Sequence, residues 1–206
     1  MLDPPRPEDS RGTDEMSAAW GEPGPAAPAH RSPAERLRAR LRSRAPLRAE
    51  RARPGGWVLL AAWGPCGFSP VAPGTMGTLG AIPLAWVLSR LGGTVHLAVT
   101  AALLVLGVVA AGRAARYWGV GDASPIVVDE VVGYLLTMAF VPFNVWTALA
   151  GFVLFRIFDM TKPWPISALD RIKTALGVML DDVGAGVLGW AVLQGLLRAF
   201  PAVLAP

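Results

Sequence analysis

TVHLAVTAALLVLGVVAA, Thr94–Ala111, contains no Asp, Glu, Lys or Arg, and VGAGVLGWAVLQGLLRAF, Val183–Phe200, contains one charge, Arg198. A segment of about 20 apolar residues crosses the hydrocarbon of a bilayer as a helix. These two stretches are the safest spans, and they set the fold class: an all-α integral membrane helical bundle. Shorter apolar segments run from Trp57 to Trp63, Leu79 to Leu91, Val131 to Val141 and Val145 to Phe158. They read as short, tilted or partly re-entrant, which gives about four to five short or spanning helices. Hydrophobic residues make up 53% of the 206, charged residues only 17%, and mean hydropathy is +0.44. That is more apolar than a soluble domain of this length.

Residues 1–54 are different. They mix Pro, Ala, Gly, Arg and Glu without apolar periodicity, and Pro23-Gly24-Pro25 breaks any regular element. The expectation is a disordered tail over 1–54 and a membrane-embedded domain over 55–206, with a short amphipathic helix from Pro33 to Leu47 as the one candidate element in the tail. Arg31, Arg36, Arg38, Arg40, Arg42, Arg44, Arg48, Arg51 and Arg53 crowd this tail and account for most of the net charge of +4. An Arg-rich stretch just before an apolar domain fits the positive-inside rule and anionic lipid headgroups better than nucleic acid. The tail and the polar hinges around Asp122, Asp129, Glu130, Asp159 and Asp181 are therefore expected on the cytoplasmic side. Nothing apolar precedes Trp57 that would serve as the core of a secretory signal.

Seven acidic residues follow the tail, and six of them fall in three places: Asp129-Glu130, Asp159 with Asp170, and Asp181-Asp182. A carboxylate in or near hydrocarbon is costly unless it is paired or binds a cation, so these are functional candidates. Hard oxygen ligands of this kind suit Mg²⁺ or Mn²⁺. Each also has a plainer reading. Ser124-Pro125 looks like a helix start, which puts Asp129 and Glu130 one turn in, where negative charge favours the helix dipole. Arg156, Asp159 and Lys162 share a helix face before Pro163 and form either an ion-pair ladder or a metal-and-phosphate site. Ser167 with Asp170 has capping-box spacing, and Gly177 then closes the short helix, which makes Asp170 structural. Asp181-Asp182 stands where the last apolar helix opens, so one of the two acts as its cap while the other is free to face the bundle.

The loop Gly67–Thr78 is rich in glycine and hydroxyls. Its Ser69, Gly74, Thr75 and Gly77 are candidate phosphate contacts through backbone N–H groups, although it lacks a Walker A ending. Cys66 is the single cysteine and is followed by no phosphate-loop arginine, so it reads as a small apolar residue. His30 lies in the tail and His96 near the outer end of a span, which argues against a phosphohistidine mechanism. The Asp-Gly-x-x-Ala-Arg pattern of CDP-alcohol phosphotransferases is absent.

Gly67-Phe68-Ser69-Pro70 with Pro73-Gly74-Thr75-Met76-Gly77-Thr78, then Val128-Asp129-Glu130-Val131-Val132-Gly133, then Phe155–Ile166, Leu169-Asp170-Arg171 and Met179–Gly186 follow one another in an order that resembles bacterial phosphatidylglycerophosphatase A. The resemblance covers about residues 56 to 200 and leaves the Arg-rich tail outside. It implies a Mg²⁺-dependent multi-pass enzyme of the bacterial inner membrane that converts phosphatidylglycerophosphate to phosphatidylglycerol and inorganic phosphate. Together with the residues, it points to Asp129, Glu130, Asp159, Asp181 and Asp182 as the metal-ligand pool. Asp129, Glu130, Asp159 and Asp182 are the catalytic candidates, with Arg156 and Lys162 on the phosphate. The nucleophile stays open between water and a carboxylate. Two other classes fit the same acids: a small transporter or ion-relay protein, and a structural membrane protein whose carboxylates only cap and pair. The residues do not define an oligomeric state.

Overall fold

Helix packing in the computed structural model is organised around one short, buried helix. The structure describes residues 55–119, 123–169 and 174–200. The expectations for the tail, the Pro33–Leu47 helix, Asp122, Asp170, Arg171 and Lys173 lie outside the described residues. Among those described there are seven α-helices and no strand: α1 Gly56–Ala61, α2 Pro73–Leu91, α3 Gly93–Trp118, α4 Val128–Thr137, α5 Val145–Thr161, α6 Ile166–Leu169 and α7 Ala175–Ala199. A 3₁₀ turn, Cys66–Phe68, separates α1 from α2.

Local chemistry sets the boundaries. Pro73 occupies the first turn of α2, where a missing N–H costs nothing. Asn144 and Thr147 form a capping box at α5: Asn144 Oδ1 accepts from Trp146 N at 2.8 Å and Thr147 N at 2.9 Å, and Asn144 N donates to Thr147 Oγ1 at 2.9 Å. α5 stops at Lys162, whose φ of 43° leaves the helix before Pro163. Gly119, with φ 69°, closes α3 in the left-handed region that an L-residue enters at a cost.

Two boundaries differ from the sequence expectation. The last helix opens at Ala175, not Val183, and its cap is Thr174, whose Oγ1 accepts from Gly177 N at 3.2 Å. Asp181 and Asp182 are thus about two turns inside α7 and cap nothing, because Thr174 already satisfies the first turn. For the same reason Gly177 belongs to α7 and does not close the short helix after Ser167. Ser124-Pro125 is a turn and α4 starts at Val128, so Asp129 and Glu130 stand in its first turn itself.

α3 and α7 are long and apolar enough to cross a membrane. At 1.5 Å per residue, the ten residues of α4 reach only about 15 Å, half a bilayer. α4 packs against α2, α3, α5 and α7, and eight of its residues are buried. A short helix with most of its side chains buried belongs inside the bundle. Val131, Tyr134, Leu135 and Met138 form the centre of the core with Ala81, Ala85, Phe155, Ala185 and Leu193. Many apolar side chains point outward instead, among them Val105, Val145, Val153, Ile157 and Met160. That outward apolar surface is the lipid-facing side of a membrane protein.

At the α4–α7 crossing the two backbones approach closely. A Cβ on Gly186 would lie 2.5 Å from Gly133 O, and one on Gly133 would lie 2.8 Å from Asp182 O. Thr137 Oγ1 lies 3.0 Å from Gly133 O and 3.2 Å from Gly186 O, so its hydroxyl ties the two helices together. Small residues permit close backbone approach in lipid, where apolar burial alone gives little drive to associate.

Candidate active site

One acid on each of α4 and α7 has a glycine one turn further along its helix: Gly133 follows Asp129 by four residues, and Gly186 follows Asp182 by four. Side chains at i and i+4 share a face. The glycine crossing therefore turns Asp129, Glu130 and Asp182 toward one another. One carboxylate oxygen from each lies within 4.8 Å of the other two. Asp129 and Asp182 are buried, and Glu130 is nearly so. Asp129 Oδ1 accepts from Glu130 N at 3.0 Å, which fixes its rotamer.

Around this trio sit the remaining charges. Arg156 Nη1 donates to Asp159 Oδ2 at 2.7 Å and reaches Glu130 Oε1 at 3.9 Å. The Asp159 carboxylate lies beside that of Asp182. Lys162 Nζ donates to Asp181 Oδ2 at 2.5 Å, while Asp181 Oδ1 accepts from Asp182 N at 3.1 Å. The two aspartates of α7 have thus separated: Asp182 faces the trio and Asp181 faces a lysine. Neighbouring helix positions point about 100° apart, which is why one pair serves two partners.

The Gly67–Thr78 stretch expected as a loop is helical from Pro73 onward, as the opening of α2, and it meets this site at Gly74. A Cβ on Gly74 would run into Glu130 Oε1 and lie 3.3 Å from Arg156 Nη1, so any larger residue there displaces the Glu130 carboxylate. Thr75, next to it in the first turn of α2, is half-buried. Gly77 packs against Val127, where its Cβ would be 2.8 Å from the valine Cβ. Ser69 Oγ donates to Val71 O at 2.8 Å within its own turn. His96 lies away from the acids on α3, its Nε2 donating to Leu135 O at 2.9 Å. Sequence reading missed Gly133, Thr137 and Gly186, the residues that bring the acids together. The signal was present in the i, i+4 spacing of each glycine from its acid.

Three mutually close carboxylates repel one another, and burial removes the water that would screen them. Glu130 Oε2 and Asp182 Oδ2 are buried with no hydrogen-bond partner. A buried charged oxygen without a donor is expensive, and natural structures leave few of them unexplained. A divalent cation would satisfy both oxygens and remove the repulsion, so the donor set fits a hard, oxygen-ligated ion.

A buried carboxylate cluster with a guanidinium and an ammonium beside it, inside a helical membrane bundle, defines the class of membrane enzymes that handle anionic groups. The comparisons with known proteins specify it further. The family model of phosphatidylglycerophosphatase A matches residues 59–197. Phosphatidylglycerophosphatase A of Escherichia coli strain K12 is 40% identical over 147 residues, covering 70% of this chain and 86% of the relative. That of Haemophilus influenzae strain Rd is 40% identical over 119 residues, 56% of this chain and 73% of the relative. A Bacteroides thetaiotaomicron protein with the provisional name phosphatidylinositol-3-phosphatase is 43% identical over 136 residues, 62% of this chain and 84% of its own length. No solved structure matches. The chain belongs to the phosphatidylglycerophosphatase A family and is a phosphatase.

Proposed function

We propose that the protein hydrolyses phosphatidylglycerophosphate to phosphatidylglycerol and inorganic phosphate, with Mg²⁺ held by Asp129, Glu130 and Asp182, at the cytoplasmic face of a bacterial inner membrane. The substrate follows from the names of the E. coli and H. influenzae relatives. The observation that carries the metal reading is the pair of buried, unpartnered oxygens, Glu130 Oε2 and Asp182 Oδ2, in a trio of carboxylates. The Arg-rich stretch before the first apolar segment supports a cytoplasmic site.

The net reaction breaks the bond between phosphorus and the glycerol oxygen and forms one between phosphorus and a water oxygen; the glycerol oxygen gains a proton. Bound Mg²⁺ supplies Lewis-acid stabilisation of the charge on the phosphoryl oxygens. Asp129 and Glu130 enter from α4 and Asp182 from α7, so the ligand set exists only while the glycine crossing holds. Asp159 keeps Arg156 aimed at the rim of the trio through the 2.7 Å bond. There the guanidinium offsets phosphate charge that three carboxylates would otherwise repel. Gly74 lets the Glu130 carboxylate and the Arg156 guanidinium lie directly against the α2 backbone.

The test is phosphate release by purified protein in detergent. Release from phosphatidylglycerophosphate is expected with Mg²⁺, to stop in excess EDTA, and to return when Mg²⁺ is restored. Ion flux across liposomes without phosphate release would instead support a relay protein.

A further inference from the structure

Lys162 occupies a position where its own backbone favours another residue. It is the residue after α5, with φ 43° and ψ 57°, a left-handed stop where glycine is common and a β-carbon is disfavoured. The lysine there makes a side-chain contact that a glycine could not. Its ammonium reaches back across to α7 and donates to the buried Asp181. Asp181 in turn accepts from the backbone N–H of Asp182, a member of the trio. The Lys162 charge is thereby anchored one residue from the catalytic acids.

Two cations thus lie along α5. Arg156 touches the trio through Glu130, and Lys162 comes six residues later, about 9 Å further along the axis. The Lys162 side chain is 32% exposed and that of Arg156 is 18% exposed. From inside outward the order is carboxylates, Arg156, Lys162. A substrate that places its phosphomonoester against buried acids must leave the rest of its headgroup outside. In phosphatidylglycerophosphate the next anionic group outward, across one glycerol, is the phosphodiester. An ammonium carries three donors and suits a diffuse anion at a rim.

We propose that Lys162 is the specificity-determining residue that reads the phosphodiester of the substrate, while Arg156 serves the phosphomonoester. This rests on the proposed function and divides between two phosphates the two cations of that site. The reading selects lipids in which a diester phosphate stands one polyol away from the monoester, against lipids in which the monoester is attached to the diacylglycerol itself.

The experiment compares kcat/KM for phosphatidylglycerophosphate with that for phosphatidate, which has acyl chains and a phosphomonoester but no diester. Both are presented in the same detergent micelles to wild type, Lys162→Met and Lys162→Arg. Wild type is expected to prefer phosphatidylglycerophosphate. Lys162→Met is expected to lower that preference about tenfold, mainly through KM for the diester-bearing lipid, and Lys162→Arg to restore most of it. Because Lys162→Met leaves a buried carboxylate without its partner, the double variant Lys162→Met/Asp181→Asn supplies a neutral pair, and the same loss of preference is expected. Equal losses on both lipids, or an unchanged preference in the double variant, would overturn the assignment. Absence of wild-type phosphate release from phosphatidylglycerophosphate would overturn the function itself, a separate result.

Discussion

Asp181 and Asp182 are adjacent in sequence, but one meets Lys162 and the other joins Asp129 and Glu130. Charge type and spacing cannot separate such neighbours; the rotation of α7 against α4 does. Their substitutions should differ accordingly. Asp182→Asn or Glu130→Gln removes a candidate ligand and is expected to lower Mg²⁺-dependent phosphate release on the order of 10²-fold or more. Asp181→Asn removes the partner of Lys162 and leaves the trio's own carboxylates in place, and is expected to cost about tenfold. Initial rates at saturating Mg²⁺ decide between them, and equal losses at Asp181 and Asp182 would contradict the separation. Asp159→Asn belongs with the smaller effects, since it frees Arg156 without removing a member of the trio. Its defect should appear in KM for the lipid as well as in kcat.

At the scale of elements, the crossing of α4 and α7 decides whether the ligand set exists. Gly186→Ala puts a methyl 2.5 Å from Gly133 O, a backbone atom with no rotamer to escape into. The expected cost is about 1–3 kcal/mol of stability, with a rise in the Mg²⁺ concentration for half-maximal activity as the two acid-bearing helices move apart. Gly195→Ala, further along the same helix and with nothing within 4 Å, serves as the control and should be neutral or slightly stabilising. Asn144→Ala removes the capping box of α5 and is expected to cost about 1 kcal/mol in detergent unfolding while leaving Mg²⁺ half-saturation unchanged. Much of this level was visible in the sequence. Thr94–Ala111 and Val183–Phe200 stand out because nothing but a membrane or a buried core accepts such runs, and Asp129, Glu130 and Asp182 stand out because acids are costly beside them. The start of α7 was hidden because Ala175–Leu180 carries no charge pattern and the first acids met, Asp181-Asp182, resemble a cap. The grouping of the acids was hidden because it depends on a helix crossing, which one-dimensional periodicity does not contain.

For the whole molecule, a 15 Å helix that carries two acids is held at the centre of a bundle whose outer surface is apolar. The chain is therefore expected to stay with membranes after an alkaline carbonate wash and to leave them only with detergent; release by carbonate alone would contradict the lipid-facing reading of Val105, Val153 and Ile157. The arrangement buries three carboxylates together at a position that a bound cation would make inexpensive, and on the proposed function phosphate release depends on that placement. Mn²⁺ binding followed by electron paramagnetic resonance on purified protein in detergent tests this most directly, because Mn²⁺ takes the same oxygen ligands as Mg²⁺. Wild type should show a saturable class of bound Mn²⁺ that Mg²⁺ displaces and that Glu130→Gln/Asp182→Asn lacks. Undiminished binding in that double variant, or no saturable binding in wild type, would contradict the account.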